Sequence, residues 1–430
     1  MHFTHHRLAL VMAFALSAAS IQTTHARGDI GPKQGPLYAY ETLDAKQHDS
    51  APINAPIVDD HLIQHATTRN GQQVAKVLEP AINRLLQSGE LNSEQIKELE
   101  KIAGALTQQP GEMGAALEQL AGSQNANLAA ATQNTTQQLS AQLLSVLGTL
   151  PADEDGHFWV QGLGNSATLD KQGGSAGLKY GTQGLLLGAD WALDHTWRVG
   201  VMGAKSTTHL DAQRFSADLD SWHLGGYAVH QDGPLALRLG AIYSDHAGQN
   251  KRSVQLLNYK EQLRGDYNAQ SQTVFSELGY QLGSEDISIE PFAGMGYQRY
   301  HRDSFKERGG LSALNVGSQT QQNLNSTFGL RLATVYRFDN RMNLTPHLST
   351  SWKHLYGDVD SRVRQSYRVA PGLIDSFAVN GTALDRDSLS MSAGLDLALS
   401  PQHTVGLTYN GEAGTNSRSQ GLMGQWQMRF

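Results

Sequence analysis

From His157 to the last residue, hydrophobic and polar positions alternate with period two, the spacing of extended strands with one apolar side. In LSMSAGLDLALS, Leu389, Met391, Ala393, Leu395, Leu397 and Leu399 share a face opposite Ser390, Ser392, Gly394, Asp396 and Ala398. In STFGLRLATVY, Phe328, Leu330, Leu332, Thr334 and Tyr336 oppose Thr327, Gly329, Arg331, Ala333 and Val335. The chain closes on SQGLMGQWQMRF, with Leu422, Gly424, Trp426, Met428 and Phe430 on one side and Met423, Gln425, Gln427 and Arg429 on the other. One such strand fits a soluble sandwich equally well; the whole set decides.

Twelve segments can be read, beginning near Phe158, Leu178, Thr196, Ala217, Pro234, Gln270, Ile287, Gln321, Met342, Ser388, His403 and Gln420. Links after even-numbered segments are tight (LDHT, QDGP, GSED, FDNR, LSPQ), whereas those after odd-numbered ones are mostly long, such as AGQNKRSVQLLNYKEQLRGDYN. Short turns on one rim and long loops on the other predict an all-β fold, a 12-stranded antiparallel transmembrane barrel with both ends on the periplasmic side. Trp159, Trp191, Trp197, Tyr297, Tyr336, Trp352 and Trp426 fall near strand ends, as interfacial girdles would. Glu290, Arg331, Asp396 and Arg429 alternate with apolar residues and are expected to face the lumen, there to touch a plug and close the pore to ions.

Ahead of the strands the period changes. VAKVLEPAINRLLQSG and NSEQIKELEKIAGAL space apolar residues by three and four, and Asn92 with Gln95 reads as a capping box. Between Glu118 and Asp153 lie 34 positions without a charge, rich in Ala, Gln, Asn, Ser and Thr. A continuous helix of that length would run about 50 Å, enough to thread a bilayer-spanning lumen. The domains are therefore read as 1–26 signal peptide, 27–71 a segment without a core of its own, 72–152 an α-helical linker region expected to thread the lumen, and 153–430 the barrel.

Composition narrows the function. A weakly basic MHFTHHR, an apolar LALVMAFALSAASI and a small-residue THA form a secretory signal cut after Ala26. The absence of cysteine among 430 residues suits an oxidising compartment. A net charge of -7 leaves no basic patch for nucleic acid. Histidines are scattered without metal-ligand spacing, and neither a cofactor nor a metal site is read. Asp245 and His246 near the outer end of the fifth strand are the one acid and base pair of interest; surface polar residues are the simpler reading. The Arg27–Asp29 tripeptide RGD is too short a motif to assign adhesion.

In order along the chain, ALEQLAGSQNANLAAA, FWVQGLG, GLLLGADW, IEPFAGMGYQ, SWKHLYGD and GQWQMRF resemble the translocator unit of monomeric (type Va) autotransporters. The resemblance covers Gln72 to Phe430. It implies an outer-membrane barrel of a Gram-negative bacterium, acting as a monomer in type V secretion without enzymatic chemistry, that brings an unusually short N-terminal passenger to the cell surface. Leu422, Trp426, Met428 and Phe430 would carry the signal read by the barrel-assembly machinery. Outer-membrane lipid and periplasmic chaperones are the other implied partners, and a host or surface ligand is left unassigned. Asn125 and Asn134 lack the acidic, double-asparagine setting in which some relatives cleave their linker, so an intact linker is expected. A porin-like or structural barrel and an outer-membrane hydrolase are the alternative readings.

Overall fold

The computed structural model describes residues 61–430 other than 109, 151–155, 173, 258, 285, 339–341 and 370. The signal segment, the RGD tripeptide and most of the 27–71 segment lie outside the described residues.

Twelve long strands form one closed antiparallel sheet: β1 His157–Leu169, β2 Leu178–Ala192, β3 Trp197–Ala212, β4 Phe215–Asp232, β5 Leu235–Leu256, β6 Tyr259–Tyr280, β7 Ile287–Arg302, β8 Gln319–Thr334, β9 Asn343–Gly357, β10 Asp387–Ala398, β11 His403–Gly414 and β12 Ser417–Arg429. Sequential neighbours pair throughout, and β1 pairs with β12 from His157↔Arg429 to Leu169↔Ser417, which closes the ring. Closure leaves no edge strand among them, the condition for a sheet in hydrocarbon. Phe430 extends that seam: its N–H donates to Gly156 O at 2.9 Å and its carbonyl accepts from Gly156 N at 3.1 Å.

Outside, a belt of exposed Leu, Val, Ile, Met and aromatic side chains runs round the sheet, including Leu187, Val201, Leu224, Met295, Phe328, Leu348 and Leu407. At its outer margin Lys205 lies over the Trp222 ring at 5.2 Å. Trp191, Tyr297, Tyr336 and Trp352 are exposed on this surface, and Trp197 is half-buried against His230 at 4.6 Å. Trp159 is a correction to the girdle reading. It occupies a lumen position, is 1 % exposed, and donates its indole N–H to Tyr227 Oη at 2.8 Å. It lies across Gly188, where an added Cβ would stand 2.4 Å from the ring.

The segment 247–268 is a second correction: most of it is strand, not loop. β5 and β6 pair residue by residue up to Leu256↔Tyr259. Above the apolar belt their outward face turns polar (Asp245, Gln249, Lys251; Lys260, Gln262, Arg264), while Val254, Leu256, Tyr259 and Leu263 stay buried inside. Such an outward face does not suit hydrocarbon, and the inner face has something else to cover.

That cover is helical. α1 His61–His65, α2 Arg69–Gln87, α3 Ser93–Gln108 and α4 Met113–Ala121 share one apolar core with the β5–β6 extension and with four short strands in the outer loops, Phe305–Lys306, Leu314–Val316, Arg362–Tyr367 and Phe377–Asn380. Helix therefore starts ahead of Gln72. Thr68 caps α2, its Oγ1 accepting from Gly71 N at 3.0 Å, a cap followed by polar residues and so hidden from an apolar-period reading. The Asn92–Gln95 box forms: Asn92 N donates to Gln95 Oε1 at 2.9 Å and Gln95 N to Asn92 Oδ1 at 2.8 Å.

Candidate functional site

The barrel interior holds α5, Gln124–Thr149, a single helix of 26 residues. At 1.5 Å per residue it is about 39 Å long, shorter than the continuous helix expected. The break is at Gly122, which takes φ 57°, the left-handed conformation that ends helices. A side chain there would also collide with Leu314, 2.8 Å from an added Cβ. Three carbonyls at the end of α4, which have no intrahelical donor, are met by side chains of β5 and of the loop strand Arg362–Tyr367. Arg252 Nη1 donates to Gln119 O at 2.8 Å, Tyr367 Oη to Leu120 O at 3.1 Å, and Gln365 Nε2 to Ala121 O at 2.9 Å. Arg252 is in turn paired with buried Glu307 at 2.6 Å.

Below the turn, α5 is buried on all sides and held through its own uncharged side chains. Asn125 donates to Glu307 Oε1 at 3.1 Å and Gln365 Oε1 at 3.0 Å, and accepts from Asn250 at 2.8 Å. Asn127 Nδ2 donates to Ser175 Oγ at 2.8 Å and its Oδ1 accepts from Thr382 N at 2.7 Å. Thr132, Thr135, Thr136 and Ser140 return their hydroxyls to the carbonyl four residues back, at 2.8 to 3.1 Å. Self-satisfied hydroxyls let a polar helix pass a narrow lumen without leaving donors unmade.

Past Gln137 the helix becomes one-sided. Leu139, Leu143, Val146 and Leu147 pack on Trp159, Leu186, Met202, Tyr227, Ile242 and Phe275, the inner faces of β1–β6. The opposite side, with Gln137, Ala141, Ser145 and Gly148, borders a cavity of about 620 Å³ whose far wall is built mainly from β7–β12. Lys353 Nζ donates to Gln137 Oε1 at 3.0 Å across it, and Gln427 Nε2 to Thr149 Oγ1 at 3.0 Å near the periplasmic rim.

Each of the four charged residues singled out from sequence is on the inner face. Glu290 and Arg331 belong to a quartet: Arg238 bonds Glu277 at 3.0 Å and Glu290 at 2.6 Å, and Arg331 bonds Glu277 at 2.7 Å and Glu290 at 2.8 Å. Asp396 accepts from Gln425 Nε2 at 2.8 Å with His347 at 3.5 Å, and Arg429 borders the cavity. The four charges of the quartet pair with one another; helix contacts come instead mainly from Asn and Gln side chains of the barrel and its loops, such as Asn250, Gln365 and Gln298. Their partners sit far along the chain, so no local spacing announces them. Asp245 and His246 are not brought together. Asp245 points out, whereas His246 is buried between Ser221 at 2.7 Å and Ser271 at 3.0 Å. Among the described residues no three His, Cys, Asp or Glu side chains are grouped to hold a metal ion.

At the seam, Leu422, Trp426, Met428 and Phe430 face outward along β12 and its end. Trp426 stacks on His403 at 5.8 Å and meets Phe158 edge-on at 6.1 Å.

A closed 12-stranded barrel with a helix entering its lumen from the long-loop side is one architecture among membrane barrels; the family model of the autotransporter β-domain matches residues 158–410. The chain belongs to the autotransporter β-domain family. Two extracellular serine proteases of Serratia marcescens are 29% and 28% identical to it over 329 residues, 74% of this chain and 31% of each relative. The chain thus spans less than a third of the length of these relatives. Among solved structures, the translocator domain of autotransporter NalP from Neisseria meningitidis shares the fold with a TM-score of 0.56, at 15% identity, over 71% of this chain and 99% of that one. The β-domain is thus a type V secretion translocator in the outer membrane of a Gram-negative bacterium.

Proposed function

We propose that this β-domain carries the chain ahead of α5 to the cell surface, that α5 stays in the lumen uncleaved, and that α1–α4 then seal the outer mouth. The observation that carries this reading is the polarity of α5. Its Gln124 end meets the long outer loops through Asn125 and Asn127, and its Thr149 end meets β12 through Gln427 near the short-turn rim. A helix so oriented has the helices that precede it, α1–α4, on the outer side. Asn125 supports the intact linker, because its amide nitrogen is committed to Glu307 and Gln365 and is not free to attack its own carbonyl. No catalytic role is assigned to the β-domain. The outward row Leu422, Trp426, Met428 and Phe430 is the surface we assign to the barrel-assembly machinery, with chaperones guarding the unfolded chain and lipid covering the finished belt.

The test is an epitope tag inserted after Lys33, probed by antibody and protease on intact cells. Export predicts a tag reached from outside. A tag reached only after permeabilisation refutes it.

A further inference from the structure

Among the described residues, the outer third of the lumen contains a buried cation with no carboxylate bonded to it. Arg302, on the inner face of β7, is 0 % exposed. Its Nη2 donates to Gly317 O at 2.9 Å, and the Phe305 ring lies 4.9 Å from Cζ. Nε and Nη1 have no acceptor. Phe305 also packs on Tyr267, ring centroids 5.5 Å apart, and the buried Tyr267 hydroxyl has no partner either.

Among the described residues, the carboxylates that neighbour Arg302 on the outer loops and on β6 are bonded to other groups. Glu307 accepts from Arg252 and Asn125 on Oε1 and from Arg252 and Leu314 N on Oε2. Glu261 is taken by Tyr259, Leu311 N and Ser312 N. Asp303 is exposed and paired with His301 at 3.4 Å. The acceptors left over, Gln319 Oε1 opposite Arg302, Asn250 Oδ1 and the Tyr300 hydroxyl, are neutral. A guanidinium does not give up its proton, and a buried charge without an opposite one is strongly unfavourable. Water can satisfy the N–H groups but cannot cancel the charge.

We infer that Arg302 and Tyr267 hold a small monovalent anion of the halide type inside the barrel wall, beside α5. A single guanidinium with two unfilled N–H donors and no bonded carboxylate suits a monovalent anion better than a phosphate or sulfate dianion. Arg302 has no exposed surface through which a larger anion could reach solvent. The ion would fix β6 to β7 where Ala129 of α5 packs on Ala269 and Tyr300, so halide tightens the seat of the plug helix.

The full chain, extracted in detergent, is crystallised in bromide and diffraction is recorded at the bromine edge. An anomalous peak within hydrogen-bond distance of Arg302 Nε or Nη1 is the expected result. In parallel, melting is followed in bromide, chloride and gluconate at one ionic strength. The halides should raise the midpoint, Tyr267→Phe should increase the half-saturating bromide several-fold, and Arg302→Met should abolish the dependence. Should Arg302→Met fail to fold, the anomalous map and Tyr267→Phe decide. An ordered Arg302 with no anomalous peak, or equal midpoints in all three salts, overturns the site and leaves buried water as its occupant.

Discussion

The two halves of α5 are the same helix under different constraints. From Asn125 to Gln133 every residue is buried, tied by side-chain amides to the outer loops and roofed by the core of α1–α4. From Gln137 to Thr149 the helix has an apolar contact on β1–β6 and a wet cavity on the other side. The difference locates the seal. A helix alone does not fill a 12-stranded lumen; closure is completed at the outer end, where loops and α1–α4 add what the helix lacks.

The largest effect should follow from breaking that outer closure. Leu120 is 2 % exposed in the shared core, and Leu120→Asp would bury an unpaired charge at a cost of several kcal/mol. The expected outcome is release of α1–α4 to trypsin and a rise in conductance in planar bilayers, with the barrel still resistant to SDS at room temperature. By contrast, Arg331→Ala on the wet side should change conductance far less. If the two variants conduct alike, the seal is not where the comparison puts it.

Next in size is the Arg252–Glu307 pair, which joins the α4 carbonyl to the loop strand Leu314–Val316. Arg252→Met leaves a buried carboxylate uncompensated and should cost about 3–5 kcal/mol. Adding Glu307→Gln should restore much of that loss, a double-mutant cycle read by thermal unfolding. Additive losses would mean that the two residues act separately.

Smaller still in structural cost is a pair of probes for the wet face. Ala141 is exposed to the cavity and Ala130 is 0 % exposed. In the purified protein Ala141→Cys should react with a small thiol reagent much faster than Ala130→Cys. Equal rates would erase the distinction between the halves.

Much of this was legible in sequence. The period-two faces of β8, β10 and β12, the loop-length asymmetry and the Asn92–Gln95 box are local patterns, and local patterns survive in a string. The β5–β6 extension is hidden from a search for outward apolar faces, because that face turns charged at Asp245 while the inward face continues through Val254 and Leu256. Position near a strand end suggests a girdle for Trp159, whereas alternation with Phe158 and Val160 sends it inward. The helix break at Gly122 had one local sign, the glycine itself. The amide partners of α5, such as Gln137 with Gln298, are 161 residues apart, and separations of that order leave no periodic trace.

The smallest effect expected is a pH dependence of the outer closure. Glu118 of α4 accepts from Gly71 N at 3.0 Å, at the start of α2, with Lys171 of the β1–β2 loop close enough to favour its charge. Burial nonetheless pushes its carboxyl up to about 7, from an ordinary value of 4.5. Between these values the folded state binds more protons than the unfolded one, so stability falls as pH rises across the window. The contribution is complete below about 4.5 and lost as pH passes about 7. Protease release of α1–α4 should therefore be faster at alkaline than at mildly acidic pH. Glu118→Gln keeps the acceptor for Gly71 and removes the titration, so its release rate should stay near the acidic value of the parent throughout. A variant that keeps the full pH dependence would show that the closure titrates through another group, and that the contact joining α4, α2 and the β1–β2 loop is not what sets it.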